Sequence, residues 1–314
     1  MHDFNLYIFS MAKISAKSVM ELRKKIGVSM MECKKALVET DGNEEKAIAI
    51  LRAKGAAKAA KKSDRETGEG AVIISGSSYA KVLCETDFVA RNENFIAFVT
   101  ELAAMTDEKG SEATTAYFDS VKADKIAQLG ENLVLDECKT LEGEIVAGYV
   151  HSNKKIAAIV ALTGGSAELA KDISMHIVGL SPSVVSYKDI KKEDADAETE
   201  SRIAAVKNDN EERARLGKHL LNIPEFVSQT QISDKVLANI EVKIKEELAA
   251  EGKPEKIWDK ILPGKIQRFI ADNTSYDREQ ALLSQDFLKD TSKTVEKIVS
   301  EAGAEVISFA RIKI

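Results

Sequence analysis

Apolar positions in the first sixty residues return every three or four places, the period of a helix with one buried face. Val19, Leu22 and Ile26 make one stripe, Cys33, Ala36 and Leu37 a second, and Ala47, Ile48 and Leu51 a third. Start and stop signals frame them. Ser18-Val19-Met20-Glu21 and Ser29-Met30-Met31-Glu32 have capping-box spacing. Asn43 follows the Asp41-Gly42 turn and can cap the third stripe, while Gly27 and Gly55 stand where the first and third should end. The pattern predicts a three-helix unit over residues 12–56, near the lower size limit for independent folding. Residues 57–70 read as a basic, helix-prone tail running into a polar linker.

Beyond residue 70 the period changes toward two, and the pattern then repeats. Strands are predicted over residues 71–74 and 79–84 around Gly76-Ser77-Ser78, followed by a helix from Asn92 that buries Phe95, Phe98, Val99 and Leu102. The second copy has strands over 145–150 and 156–162 around Ser152-Asn153-Lys154, then a helix near Ala167 with Leu169, Ile173 and Ile177 inward. Late strands at 133–135 and 306–312 close the two copies. Each is a hairpin, a helix and a third strand, enough to be stable where a lone hairpin is not. The expected class is therefore α+β, with related modules of three antiparallel strands at 71–142 and 143–314. Charged helical sequence over 188–256 delays the second closing strand. It is broken at Asn222-Ile223-Pro224, resumes with Val236, Ile240, Ile244 and Leu248, and ends at Gly252-Lys253-Pro254. Two helices joined near Pro224 would make a protruding, coiled-coil-like hairpin; the alternative is a surface excursion packed on its own core.

Composition narrows the function. At 314 residues, two or three globular units are expected, and 31% charged with 44% hydrophobic residues suits a soluble chain. A net charge of −6 argues against bulk nucleic-acid binding. Charge is uneven, however: residues 11–62 hold 13 Lys and Arg against 6 Asp and Glu, a net +7 that leaves −13 elsewhere. That basic stretch has no Phe, Trp or Tyr on which a base could stack, and its charge can equally meet an acidic protein face. Three widely spaced cysteines without a CxxC motif argue against a disulfide framework or zinc site and for reduced thiols in the cytoplasm. No apolar run nears the roughly 20 residues a membrane-spanning helix needs. Residues 1–10 are apolar with no basic lead, so Met11 reads as the natural start and the preceding segment as a non-native extension.

Catalytic chemistry finds little support, and neither a cofactor nor a metal is called for. HExxH, GxSxG and phosphate-loop motifs are absent from the sequence. Gly164-Gly165-Ser166 lies between a strand and a helix but lacks the phosphate-loop lysine; a turn with a serine cap explains it better. Cys84, in a predicted strand, suits a small buried side chain better than a nucleophile. Phe88 has two readings. Packed inward it staples the next helix, which the residues by themselves favour; turned outward it is a protein-binding anchor.

Cys84-Glu85-Thr86-Asp87-Phe88-Val89-Ala90 closely resembles the signature of the elongation factor Ts family. Met30-Met31-Glu32-Cys33-Lys34-Lys35-Ala36-Leu37, Met175-His176-Ile177 with Ser181-Pro182, Gly264-Lys265-Ile266-Gln267-Arg268-Phe269 and Ser292-Lys293-Thr294-Val295 resemble further family segments, all in the same order. The resemblance implies that the N-terminal unit is ubiquitin-associated-like. It further implies that the chain binds the GDP form of elongation factor Tu and promotes nucleotide exchange without covalent chemistry. On that pattern Thr86, Asp87, Phe88 and Val89 dislodge the partner's Mg²⁺, with Phe88 as the wedge, while Met30, Met31 and His151 make other partner contacts. The insertion looks longer than the family's usual protrusion, and residues 1–10 have no counterpart. The sequence stops at Ile314, where many members continue into a partner-touching helix, so that contact is expected to be missing. The competing expectation is a ubiquitin-associated-like adaptor or RNA-binding chaperone acting through the basic N-terminal unit.

Overall fold

Ser15, not Ser18, opens the first helix. In the computed structural model, which describes residues 14–314, Ser15 is extended and its side chain accepts the Ser18 N–H at 3.0 Å. Ser18 lies inside the first turn, where its hydroxyl donates back to the Ser15 carbonyl. The expectations for residues 1–10 and Met11 lie outside the described residues. Helix α1 (Ala16–Ile26) ends at Gly27, whose φ of 75° is left-handed. Helices α2 (Met30–Glu39) and α3 (Glu44–Ala60) open on Ser29 and Asn43. Leu22, Cys33, Ala36, Leu37, Ala47 and Leu51 close on one another as their core.

The chain divides into two compact units. The first holds the described residues up to Glu142 with Val146–Ile159 and Ala310–Ile314; the second holds Gly143–Ile145 and Val160–Phe309. In the first, strands β1 (Glu69–Ser75) and β2 (Ser78–Cys84) form a hairpin with Ile74 opposite Tyr79, and β3 (Val134–Thr140) joins the far side of β2. A single turn, α4 (Asp87–Ala90), leads into α5 (Glu93–Leu129). Gly110, at φ 83° and ψ 169°, breaks α5 into two helical segments, and Phe98 and Phe118 stack across the break at 6.0 Å. Those rings, Phe95, Leu102, Val82, Cys84 and Leu133 are the module's core.

Gly55 does not end a helix as its position suggested. It sits buried within α3, and a Cβ there would come 3.3 Å from the Ala127 methyl of α5. The missing side chain permits close approach of two helices. Likewise, a Cβ on Gly27 would collide with the Gln128 side chain of α5.

A second three-stranded sheet runs in the order β4 (Ile145–Val150), β5 (Ile156–Thr163), then the last strand, Glu305–Lys313. Its Ala157, Ile159 and Ile312 pack with Val72 and Tyr79 of the first module.

In the second unit, Ser166 caps α6 (Ala167–Leu180) by accepting the Leu169 N–H at 3.1 Å, and Gly164 and Gly165 turn at φ 71° and 78°. The turn-and-cap reading of this segment holds. The charged insertion forms α7 (Lys192–Arg215) and α8 (Asp234–Ala250), and helical sequence continues past the expected boundary at 256 into α9 (Trp258–Asn273). The packed pair is α8 with α9, turning through Gly252 to Pro254, rather than two helices meeting near Pro224. Ile240, Ile244 and Leu248 close on Ile261, Leu262, Ile266 and Phe269. A stripe spaced by four needs an apolar partner, and α7 buries only Ala195 and Thr199. A short helix α10 (Ser275–Gln280), a small hairpin of β6 (Asp286–Phe287) and β7 (Asp290–Thr294), and α11 (Val295–Glu301) precede the last strand. No sequence signal marked that hairpin.

Candidate functional site: a braced turn that exposes Phe88

Strand β2 ends at Cys84, fully buried, and the chain must then climb out of the sheet into α5. Thr86 manages the exit. It is extended at φ −127° and ψ 157°, and its hydroxyl accepts the Val89 N–H at 3.4 Å, capping the single turn of α4. On that turn Ala90 is buried and Val89 packs against the core, which leaves Phe88 facing solvent. The ring is 83% exposed, the most exposed large apolar side chain among the described residues. The inward staple is therefore corrected: Val89 and Ala90 take the core-facing side. Asp87 pairs with Arg91 one turn later at 3.1 Å, and Asn92 caps α5 through the Asn94 N–H.

The turn is held from behind by the segment joining α5 to β3. Gly130 ends α5 in the left-handed region at φ 85°, placing Glu131 and Asn132 beside residues 85 and 86. One Glu131 oxygen accepts the backbone N–H groups of Glu85 and Thr86, both at 3.0 Å; the other accepts the Thr86 hydroxyl at 2.5 Å. The clasp is reciprocal, since Glu85 accepts the Asn132 N–H at 2.7 Å. That bond, with the Arg65 guanidinium behind it, holds the Glu85 carboxyl below its usual range. Asn132 in turn donates its side-chain amide to the Ser63 and Arg65 carbonyls, tying in the linker. Sequence reasoning assigned no role to residues 129–132, which precede the strand expected at 133–135. The signal available there was a glycine at the end of a helical stretch, followed at once by Glu-Asn.

The other candidates lie in the same unit but outside this clasp. Met30 and Met31 are exposed on the first turn of α2. His151 is exposed on the β4–β5 turn, 3.2 Å from the Tyr149 hydroxyl. That turn is fastened to β1 by the Val72 N–H donating to the Lys154 carbonyl at 2.8 Å and by the Lys155–Glu69 ion pair at 2.5 Å. No hydrogen bond or ion pair among the described residues links Met30, Met31 or His151 to residues 86–89.

Burial pushes the Cys84 thiol up to about 12, the reverse of the lowered value that activates a nucleophile. Among the described residues, no set of His, Cys, Asp and Glu is arranged to hold a metal, and no helix is long and apolar enough to cross a membrane.

This is an α+β protein of helices and small antiparallel sheets whose most prominent surface feature is a braced, outward-facing aromatic. The family model for elongation factor Ts matches residues 85–220 and 221–314. An elongation factor Ts of Flavobacterium johnsoniae is 42% identical over 96% of this chain and 99% of its own length. Those of Rhodopirellula baltica and Campylobacter curvus are also 42% identical, covering 97% and 94% of this chain and 100% and 90% of theirs. The chain belongs to the elongation factor Ts family, and its place is among the elongation factors of protein synthesis.

Proposed function

We propose that this protein is a cytoplasmic guanine-nucleotide exchange factor that binds the GDP form of elongation factor Tu and promotes GDP release without covalent chemistry. The observation that carries this reading is Phe88, 83% exposed on a capped and braced turn. A large ring held in water by its own fold gains only when a partner buries it. Mg²⁺ in a nucleotide site bridges phosphate oxygens and neutralises their charge, so disturbing its ligands weakens the nucleotide's hold. Asp87, beside the ring, brings a carboxylate to that neighbourhood, while Met30, Met31 and His151 offer contacts elsewhere on the same unit.

Exchange of this kind is a coupling between two binding events: whatever the factor takes from GDP affinity, GDP takes from the factor's. Burying a Phe side chain contributes roughly 1.5–3 kcal/mol, which converts to about 10- to 150-fold in nucleotide affinity. Stopped-flow release of fluorescent GDP from elongation factor Tu tests the reading directly. The protein should accelerate release, and excess Mg²⁺ should blunt the effect. No acceleration by the wild-type chain would end the proposal.

A further inference from the structure

We infer that Glu131 is the positioning residue of the exchange site: its carboxylate sets the direction in which Phe88 leaves the module. The inference rests on the exchange reading above and adds to it a residue outside the 86–89 segment.

The geometry is a short relay. The Thr86 hydroxyl has one proton, and donating it to Glu131 at 2.5 Å leaves its lone pairs turned toward the Val89 N–H. The same carboxylate takes the N–H groups of Glu85 and Thr86, the last two peptides before α4. Three donors on one carboxylate leave little freedom in the chain that launches the turn. Phe88 makes no comparable contact of its own, being almost wholly in solvent. Its direction is therefore inherited from the peptides at 85 and 86. Glu131 can serve because Gly130 reverses the chain at the end of α5, and because the Lys62 ammonium bonds the Gly130 carbonyl while Asn132 holds Glu85 and the linker carbonyls. A wedge that must enter the partner's nucleotide site after docking gains from being aimed beforehand, since ordering it in that step would slow the step rather than the docking.

Glu131→Gln keeps size and shape but puts an NH₂ where one carboxylate oxygen met a donor. In GDP-release titrations against elongation factor Tu, the maximal rate should fall about tenfold. The concentration for half-maximal effect should move less than about twofold, because the docking surfaces are untouched. On a Phe88→Ala background, Glu131→Gln should change the maximal rate by less than about twofold, as nothing is left to aim. Amide hydrogen exchange without any partner should speed up at residues 85–90 and stay unchanged in α1 to α3. Thr86→Val, which removes only the hydroxyl, should reproduce the effect if Glu131→Gln folds poorly. An unchanged maximal rate in Glu131→Gln, or an equal fall with and without Phe88, overturns the inference. If the wild-type chain does not accelerate GDP release, the exchange reading fails instead, and local amide exchange still decides whether Glu131 positions the turn.

Discussion

His176 Nε2 and Gln285 Oε1 meet at 2.9 Å inside the second unit, and both residues are buried. Gln285 is oriented by its own amide, which donates to the Glu279 carbonyl, and the other ring nitrogen of His176 accepts the Leu288 N–H at 3.1 Å. Both contacts specify a neutral imidazole with its proton on Nε2, stacked on Phe287. Protonation would need a hydrogen on Nδ1, where Leu288 already donates.

A pH dependence follows. Burial pushes the His176 pKa below its ordinary 6.5. The unfolded chain then binds the proton more readily than the folded one, so this contribution to stability is complete above about pH 6.5 and is lost as pH falls beneath that value. Urea midpoints measured from pH 8 to pH 5 should be level at first and then decline. The part belonging to this site is the portion of the decline that disappears in His176→Leu. That variant should also be about 1–3 kcal/mol less stable at neutral pH, because the Gln285 and Leu288 groups lose their partner. A wild-type and a His176→Leu decline of equal size would show that the imidazole is not held neutral.

Phe88→Ala should separate function from stability. The ring adds almost nothing to the folded state, so unfolding stability should stay within the small range typical of exposed substitutions, about 0.5 kcal/mol, and the melting temperature should hardly move. GDP release from elongation factor Tu should nonetheless slow by roughly 10- to 150-fold, the worth of one buried Phe. Thermal melts and stopped-flow traces on the same preparation check both. A variant that melts normally and exchanges normally removes Phe88 from the mechanism.

What was legible in the sequence was whatever depends on neighbours within a few places. Ser29, Asn43 and Ser166 cap the helices their positions announced, and the repeated hairpins were visible as alternation. Some failures were local, as at the first helix, where Ser15 rather than Ser18 is the cap; others come from packing that the sequence does not display. Gly55 looks like a stop until α5 is known to lie against it. Phe88 looks like a staple until Val89 and Ala90 are seen to occupy the inward side. The partner of the Ile240–Ile244–Leu248 stripe could not be read locally either: the hairpin expected near Pro224 paired it with the charged α7, and only packing shows α9 in that place. Residues 86–89 were legible as a motif, whereas Glu131, 45 residues from Thr86, was not.

The close approach at Gly55 makes a graded prediction. Alanine improves helix propensity by about 1 kcal/mol over glycine. Here the new methyl would stand 3.3 Å from the Ala127 Cβ, tight enough that α5 must yield slightly, so the two effects should nearly cancel. Leucine cannot be accommodated by such a shift, and overpacking should cost about 1–3 kcal/mol. Denaturant unfolding of Gly55→Ala and Gly55→Leu, monitored by circular dichroism, gives the comparison. If leucine were as stable as alanine, the helix contact would not be close, and the glycine would be the stop signal it first resembled.

The thiols offer a test of the ground beneath the Phe88 turn. Cys33 and Cys84 are buried, and burial raises both thiols, Cys84 to about 12. At pH 8 a thiol of that pKa is thiolate in about one molecule in ten thousand, and the thiolate is the reacting species. Cys138, on β3, is only partly covered. A disulfide reagent at pH 8 should therefore modify one thiol quickly in the native chain and all three in guanidinium. Because Cys84 Sγ also donates to the Thr86 carbonyl at 3.3 Å, its slow modification reports opening of the segment that leads to Phe88. Glu131→Gln should accelerate Cys84 and leave Cys33 unchanged, as mass spectrometry of the labelled peptides will read. Equal acceleration at both would mean that the substitution loosens the whole unit rather than the one turn.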